Sequence, residues 1–341
     1  MRNLASIQPL IEKGVEMIRT MTISAAVAVL ACSTMAMDAS AAPHAYVGNQ
    51  ENGTVSIIDT NSDTVIRTVP EHGKIGEKIQ AVVADPSEKT AFVVDAKGNS
   101  LVVVDLTSGE VKQKIPVGQS PEGASISPDG KTVAVCVEDD NLVTFVDVAT
   151  QKVTKKIPTQ GKNPEHCVFS SDEKWLVTSN ENSNDIDVID LKAGKSIAKI
   201  ATSGHPRGIA MMSDKNVAYV TQELVNGVDV VDLDTKKILA TIKTGVHPAD
   251  AMKSRDGKRV FVANGGDGTV SAIDVASGKV VGTAQVGKRS WNMGMTPDGG
   301  KLYTANGRSN DVSVIDTASF KTIKTIPVGG LPWGVFIGSG K

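Results

Sequence analysis

An aspartate closing a short apolar run recurs seven times in this chain, at Asp59, Asp105, Asp147, Asp190, Asp232, Asp274 and Asp316. The spacings are 46, 42, 43, 42, 42 and 42 residues. A fixed period of about 20–50 residues means that one supersecondary unit is copied and stacked, and it constrains the fold more than any local motif. It also constrains where function can sit. Each copy offers the same positions to a shared surface, so the informative residues are those at which the copies disagree.

Within a copy the runs are short and rich in β-branched residues, with Gly, Asp and Asn between them. In the sixth, Ala251-Met252 leads through the turn Arg255–Lys258 to Arg259–Asn264, then through Gly265–Gly268 to Thr269–Asp274, and on to Val280–Ala284. These are four strands, A to D, joined by tight turns, and no stretch keeps a helical period. Four antiparallel strands per repeat of about 40–45 residues are a β-propeller blade, and seven markers predict an all-β, seven-bladed β-propeller. The repeat region opens at His44–Asn49 as a second strand lacking a first, and finishes at Pro332–Ile337 as a first strand lacking a second. The C-terminal strand is therefore expected to join the N-terminal blade and close the ring, which removes open edges.

Tyr46-Val47-Gly48-Asn49, Val262-Ala263-Asn264 and Tyr303-Thr304-Ala305-Asn306 resemble the signature of the YVTN β-propeller repeat family. So do Ser127–Lys131 and Thr296–Gly299; the third copy departs, with Val137 where the signature Asn falls. The resemblance runs from about residue 43 to the end. It implies architecture and says little of chemistry, because propellers host lactonases, lyases, redox domains and binding modules.

Residues 1–41 read differently. Arg19, the apolar stretch Ala25–Ala31 and the small residues Ala39–Ala42 have the order of a secretory signal, with cleavage expected before Ala42 and the propeller occupying 42–341. The apolar stretch is shorter than the roughly 20 residues of a membrane span. Periplasmic or secreted export is the expectation, and the alternative is a lipoprotein anchored at Cys32. Beyond the signal, 33 basic residues face 35 acidic ones, so bulk charge gives no pull toward nucleic acid or an anionic membrane. Cys136 and Cys167 fall on neighbouring blades. Facing sheets lie about 10 Å apart, beyond the roughly 7 Å Cα separation a disulfide allows, so two buried free thiols are expected.

In a propeller blade the loops entering strand A and those joining B to C share one face, and the A–B and C–D turns share the other. The marker aspartates belong to the second, where a carboxylate accepts backbone N–H groups of its turn. On the first face, aligned strand starts place Gln80, Glu122, Glu165, Arg207, Ala249, Trp291 and Trp333 in one ring, followed by Ala81, Gly123, His166, Gly208, Asp250, Asn292 and Gly334. Five starts carry a preceding Pro that fixes the entering backbone. One half of the ring is charged, reinforced by Glu138, Glu181 and Glu223; the other holds the two Trp with Lys288 and Arg289 nearby.

Carboxylates beside indoles suit a polar organic ligand, so Gln80, Glu122, Glu165, His166, Arg207, Asp250, Trp291 and Trp333 are the expected binding residues. The competing reading is a solvated rim with both Trp packed between blades. No catalytic set or cofactor is expected. A divalent metal on His166, His205 and His247 is the minor reading, for no His-x-x-x-His or Cys-x-x-Cys spacing supports it. Met211, Met212, Met252, Met293 and Met295 all fall on strand A of three adjacent blades, and packing between blades accounts for them.

The chain is thus expected to be an exported binding module taking a small ligand or partner protein at the channel mouth. One alternative is a lactonase- or lyase-like enzyme with Glu165 or Asp250 as base and His166 as acid or metal ligand, which rests on fold analogy. The other is single-stranded nucleic-acid binding, with Trp291 and Trp333 as stacking platforms beside Lys288 and Arg289; the acidic half of the ring argues against it.

Overall fold

A computed structural model describes residues 43–212 and 216–340, which contain 28 strands, β1 to β28 in chain order. The signal and lipoprotein expectations, Cys32 included, fall outside the described residues. The strands form seven four-stranded antiparallel sheets. Around the ring the inner strands run β28 (Pro332–Ile337), β4 (Ile79–Ala84), β8 (Pro121–Ile126), β12 (Pro164–Phe169), β16 (Pro206–Met211), β20 (Pro248–Lys253) and β24 (Ser290–Met295).

Ring closure is as the strand count requires. β28 pairs with β1 (His44–Asn49), with Ala45 opposite Ile337 and Tyr46 opposite Phe336. Burial falls from the middle of each sheet outward: β9 (Thr132–Val137) is buried along nearly its whole length, whereas the outermost β7 (Val111–Pro116) buries one residue of six. The hydrophobic core is correspondingly divided into clusters between neighbouring blades rather than gathered at one centre. Cys136 and Cys167 share one such cluster with Phe145 and Phe169, and both thiols are free.

All seven marker aspartates accept a backbone N–H from the C–D turn that follows, as in Asp59 from Ser62 at 2.7 Å and Asp316 from Ser319 at 2.7 Å. The signature Asn also has a packing role. Asn306 Nδ2 donates to Asp311 Oδ1 at 2.6 Å and to Ser313 Oγ at 2.9 Å, bracing the B–C connection from inside. Blades are tied to one another at the loops entering strand A. Asn99, Asn141, Asn184, Asn226 and Asn310, in left-handed conformation, each accept the N–H of the residue preceding the next inner strand.

Candidate functional site

Every inner strand carries a β-bulge at its second and third residues, where two residues face one on strand B. Pro164 pairs with Asn180 and His166 with Ser179, which leaves Glu165 outside the ladder; the same irregularity recurs in the other six. A bulge breaks the strict in-and-out alternation of a strand and re-aims side chains. Here it does so seven times at one height, beneath what we call the upper face, where strands A begin.

The charged half of that ring forms one network. Arg207 pairs with Glu165 of the preceding blade through Nη2, and through Nη1 with Glu223 at 3.1 Å and Glu181 at 3.5 Å. Arg289, two blades away, reaches Glu223 Oε1 at 3.0 Å. Burial opposes the charge on Arg207, but Glu165, Glu181, Glu223 and Glu122 outweigh it and hold its pKa above the ordinary arginine value. Glu223 is likewise opposed by burial, yet His205, Arg207 and Arg289 hold it well below the usual carboxylate range. Glu165 goes the other way: burial dominates, and its pKa stands well above the usual value.

Glu122 and Glu138 lie against one another, hydrogen-bonded side chain to side chain. Burial, then the Glu122 charge, pushes Glu138 up to about 8. Burial also works against the Glu122 charge, but hydrogen bonding from Glu138 and the field of Arg207 bring it below its ordinary value. Gln80 is buried beside Glu122, with its Oε1 lacking a hydrogen-bond partner.

The two tryptophans have different settings. Trp333, 5% exposed, stacks on His166 from β12 across the channel, with ring centroids 5.7 Å apart and planes 21° apart. Burial, with Arg207 adding to it, lowers the His166 pKa to about 4, so its imidazole is neutral at pH 7. Trp291 is partly exposed and lies over Gly307, where a Cβ would fall 2.1 Å from the indole; the Arg289 guanidinium stands 5.9 Å from its ring centre. Charged network and ring stack together fill the upper end of the channel.

Below them is a cavity of about 420 Å³. Its upper end is polar, with His166, Asp250 and Asn292, all third residues of their strands. Asp250 accepts the N–H of Ala251 at 2.8 Å and that of Met293 on the next blade at 2.9 Å. Asn292 repeats the second contact one blade on, accepting the Val335 N–H at 3.1 Å. That bond occupies Oδ1 and leaves the Asn292 NH2 without an acceptor among the described residues. Burial pushes the Asp250 carboxyl up to about 7, against the hydrogen bonds from Met293 and Ala251.

The walls are apolar, with Val82, Ile126, Val168, Met211, Met252 and Phe336 among them. Ile126, Val168, Met252 and Phe336 are partly exposed, whereas the inner strands are mostly buried nearer their starts. A second hollow of about 350 Å³ shares Ile126, Pro128 and Phe336 with the first and continues it to Asp85 and Arg255 at the A–B turns. The cavity therefore opens toward the lower face.

The structure thus brings Gln80, Glu122, Glu165 and Arg207 together in the upper network, and places His166, Asp250 and Trp333 at the boundary between network and cavity. Trp291 stands on the rim. His205 and His247 face Glu223, at 3.4 and 3.8 Å, whereas His166 stacks on Trp333, so the three histidines do not converge on one point. Glu181 and Glu223 are integral to the network, each opening a 3-10 turn at the same place in consecutive B–C loops. Met211, Met252 and Met293 border the cavity as well as the blade cores.

A profile of the family described as YNCE-like beta-propeller matches residues 110–290. No curated protein matches the sequence. Among solved structures, hydrazine synthase of Kuenenia stuttgartiensis is similar with a TM-score of 0.69 at 21% identity, over 77% of this chain and 90% of that one. A functionally unknown protein from Desulfotomaculum acetoxidans DSM 771 is similar with a TM-score of 0.74 at 16% identity, over 86% of this chain and 98% of that one. At these identities the likeness concerns the fold alone.

Proposed function

The chain belongs to the YNCE-like β-propeller family, and from that premise we propose that it is a non-enzymatic binding module, exported by its N-terminal segment, that takes a small ligand in its central channel. The cavity of about 420 Å³ beneath a filled upper end carries this reading. Pockets of roughly 300–1,000 Å³ with apolar walls and a few convergent polar groups are where proteins bind small molecules. The polar groups define the ligand. His166 is neutral, Asp250 holds its proton up to about pH 7, and Asn292 offers an NH2 donor. Walls of Val, Ile, Met and Phe penalise an unpaired charge, and Lys253, which also lines the cavity, stands at the end of its strand, away from the polar group of His166, Asp250 and Asn292. A compact neutral molecule with a carbonyl or hydroxyl at one end, such as a lactone, fits best.

A thermal-shift panel of neutral lactones, small amines and oligonucleotides tests the reading. A neutral compound at 100 times its Kd should stabilise the protein by about 2.7 kcal/mol. Met252→Trp, which puts a larger ring at a partly exposed cavity wall, should abolish the shift while leaving the fold intact. Stabilisation by oligonucleotides alone, or by a lactone equally in both proteins, would refute it. Helices long and apolar enough to cross a membrane are absent among the described residues. Export is tested separately, by whether the purified mature chain begins at Ala42.

A further inference from the structure

Outside the cavity, the upper rim holds a second group of side chains that the binding reading leaves unused. We propose that Glu181, His205 and Glu223 bind one divalent first-row metal ion of the zinc type. One donor atom from each lies within 4.8 Å of the other two. His205 Nδ1 is 3.4 Å from Glu223 Oε2 and 3.7 Å from Glu181 Oε1. Zinc binds such nitrogen and oxygen atoms at about 2.0–2.2 Å, which sets the edges of its tetrahedron at roughly 3.3–3.6 Å. The donors already stand near that spacing.

Unsatisfied polar atoms point to the same place independently. His205 Nδ1 and Glu181 Oε1 make only long contacts, 3.4 Å to Glu223 Oε2 and 3.5 Å to Arg207 Nη1, and neither has a short hydrogen bond among the described residues. Glu165, whose side chain is 1% exposed, borders Glu181 and has its own Oε2 buried and unpartnered. Buried polar atoms without partners are uncommon in native proteins, and an ion is one recognised cause. The Arg207 guanidinium approaches the same carboxylates, but a carboxylate carries about four lone-pair sites and can serve a metal and an arginine together.

Charge argues likewise. Glu122, Glu138, Glu165, Glu181 and Glu223 face Arg207 and Arg289 across the network. Five carboxyls stand against two guanidinium groups and Lys78, so acidic groups outnumber the permanent cations. A dication would supply what is missing.

The ligands also sit on fixed backbone. Glu223 N–H donates to the His205 carbonyl at 3.0 Å, and Glu181 N–H donates to Asn163 at 3.0 Å. His205 is held in left-handed conformation by its N–H to Asn184 Oδ1 at 2.7 Å, directly before Pro206. An imidazole nitrogen with two carboxylates suits zinc among abundant ions, whereas calcium and magnesium favour oxygen throughout. Three protein ligands leave a fourth position for water; His247 Nδ1, 3.8 Å from Glu223 Oε1, is a further nitrogen nearby.

The test is titration of the full chain, freed of metal by dialysis against chelator, with zinc chloride followed by calorimetry and by metal analysis. Wild type should bind one zinc per chain. His205→Ala and Glu181→Gln should each weaken binding at least tenfold, while His72→Ala, on an exposed loop, should not. Circular dichroism of each variant separates lost ligation from lost fold. Cobalt(II) in place of zinc should give visible bands without a near-ultraviolet thiolate band. No binding by wild type, undiminished binding by both ligand variants, or a thiolate band placing the metal on cysteine would overturn the proposal.

Discussion

The two ends of the channel are built from the same seven strands and do opposite things. At the upper end, longer side chains set at the bulges meet across the opening: Arg207 with three glutamates, and Trp333 with His166. Toward the lower end the same strands return to regular pairing and line a hollow with apolar side chains. One irregularity per strand thus separates a filled end from an open one. Sequence diversity at a repeat position marks where copies have separate duties, and at the upper end those duties include contacts with each other.

Removing the centre of the charged end should have the largest effect. Arg207→Ala strands Glu165 without its cation and leaves Glu223 only Arg289 and His205, and breaking a buried ion pair on one side costs about 3–5 kcal/mol. Urea unfolding measures it; a loss below about 1 kcal/mol would mean that the network is solvated and the upper end is not filled as described.

At the boundary, pH is the probe. The Asp250 pKa of about 7 lies above the ordinary aspartate value, so the folded protein holds this proton more tightly than the unfolded chain. Its contribution to stability is full below about pH 4 and is lost as pH rises through 7. His166, lowered to about 4, works in the opposite sense: its contribution is full above about pH 6.5 and is lost as pH falls through 4. The two largely offset each other in wild type. In Asp250→Asn the balance is removed, and the variant should gain on wild type by about 3–4 kcal/mol between pH 4 and pH 8, at 1.36 kcal/mol per pKa unit. A difference independent of pH would contradict a buried protonated carboxyl.

A marker aspartate at the C–D turns supplies the baseline outside both ends. Asp274→Ala removes the acceptor of the Ser277 N–H and hydroxyl. It should cost about 1 kcal/mol, the usual net worth of such a bond, without altering ligand or metal binding. A larger loss would mean that the turns contribute to the fold more than a local hydrogen bond does.

Fold and site were unequally legible in the sequence. Blade number and ring closure follow from spacing and from the incomplete first and last repeats, because a propeller repeats its local chemistry in register with its geometry. The marker aspartates were legible for the same reason, since each bonds within its own turn. The ring of Gln80, Glu122, Glu165 and Arg207 was legible as a set of equivalent positions, but not as a mutually paired network. Pairing depends on the bulge and on distances across blades, neither of which leaves a local pattern. The sequence assigned Glu165 and Arg207 no structural duty, and their buried ion pair gives them one.

Asp250 and Asn292 illustrate the same limit. Each reads as a free polar group at a strand start, yet each fastens the next blade through a backbone N–H. The close approach of inner strands was visible only as glycine. At Gly208 a Cβ would lie 2.3 Å from Asp250 Cα, and at Gly123 it would lie 2.2 Å from the Glu165 carbonyl oxygen. The cavity was hidden altogether, because it is defined by where side chains stop.

The methionines offer the most direct test of where a ligand sits. Met211, Met252 and Met293 border the cavity, whereas Met212 and Met295 pack in blade cores away from its lining. With methyl-labelled methionine, a lactone that stabilises the protein should shift the Met211, Met252 and Met293 signals at saturation and leave Met212 and Met295 nearly unchanged. Unmoved methionine methyls with a shifted Trp291 indole would put the ligand on the upper rim and contradict binding in the channel.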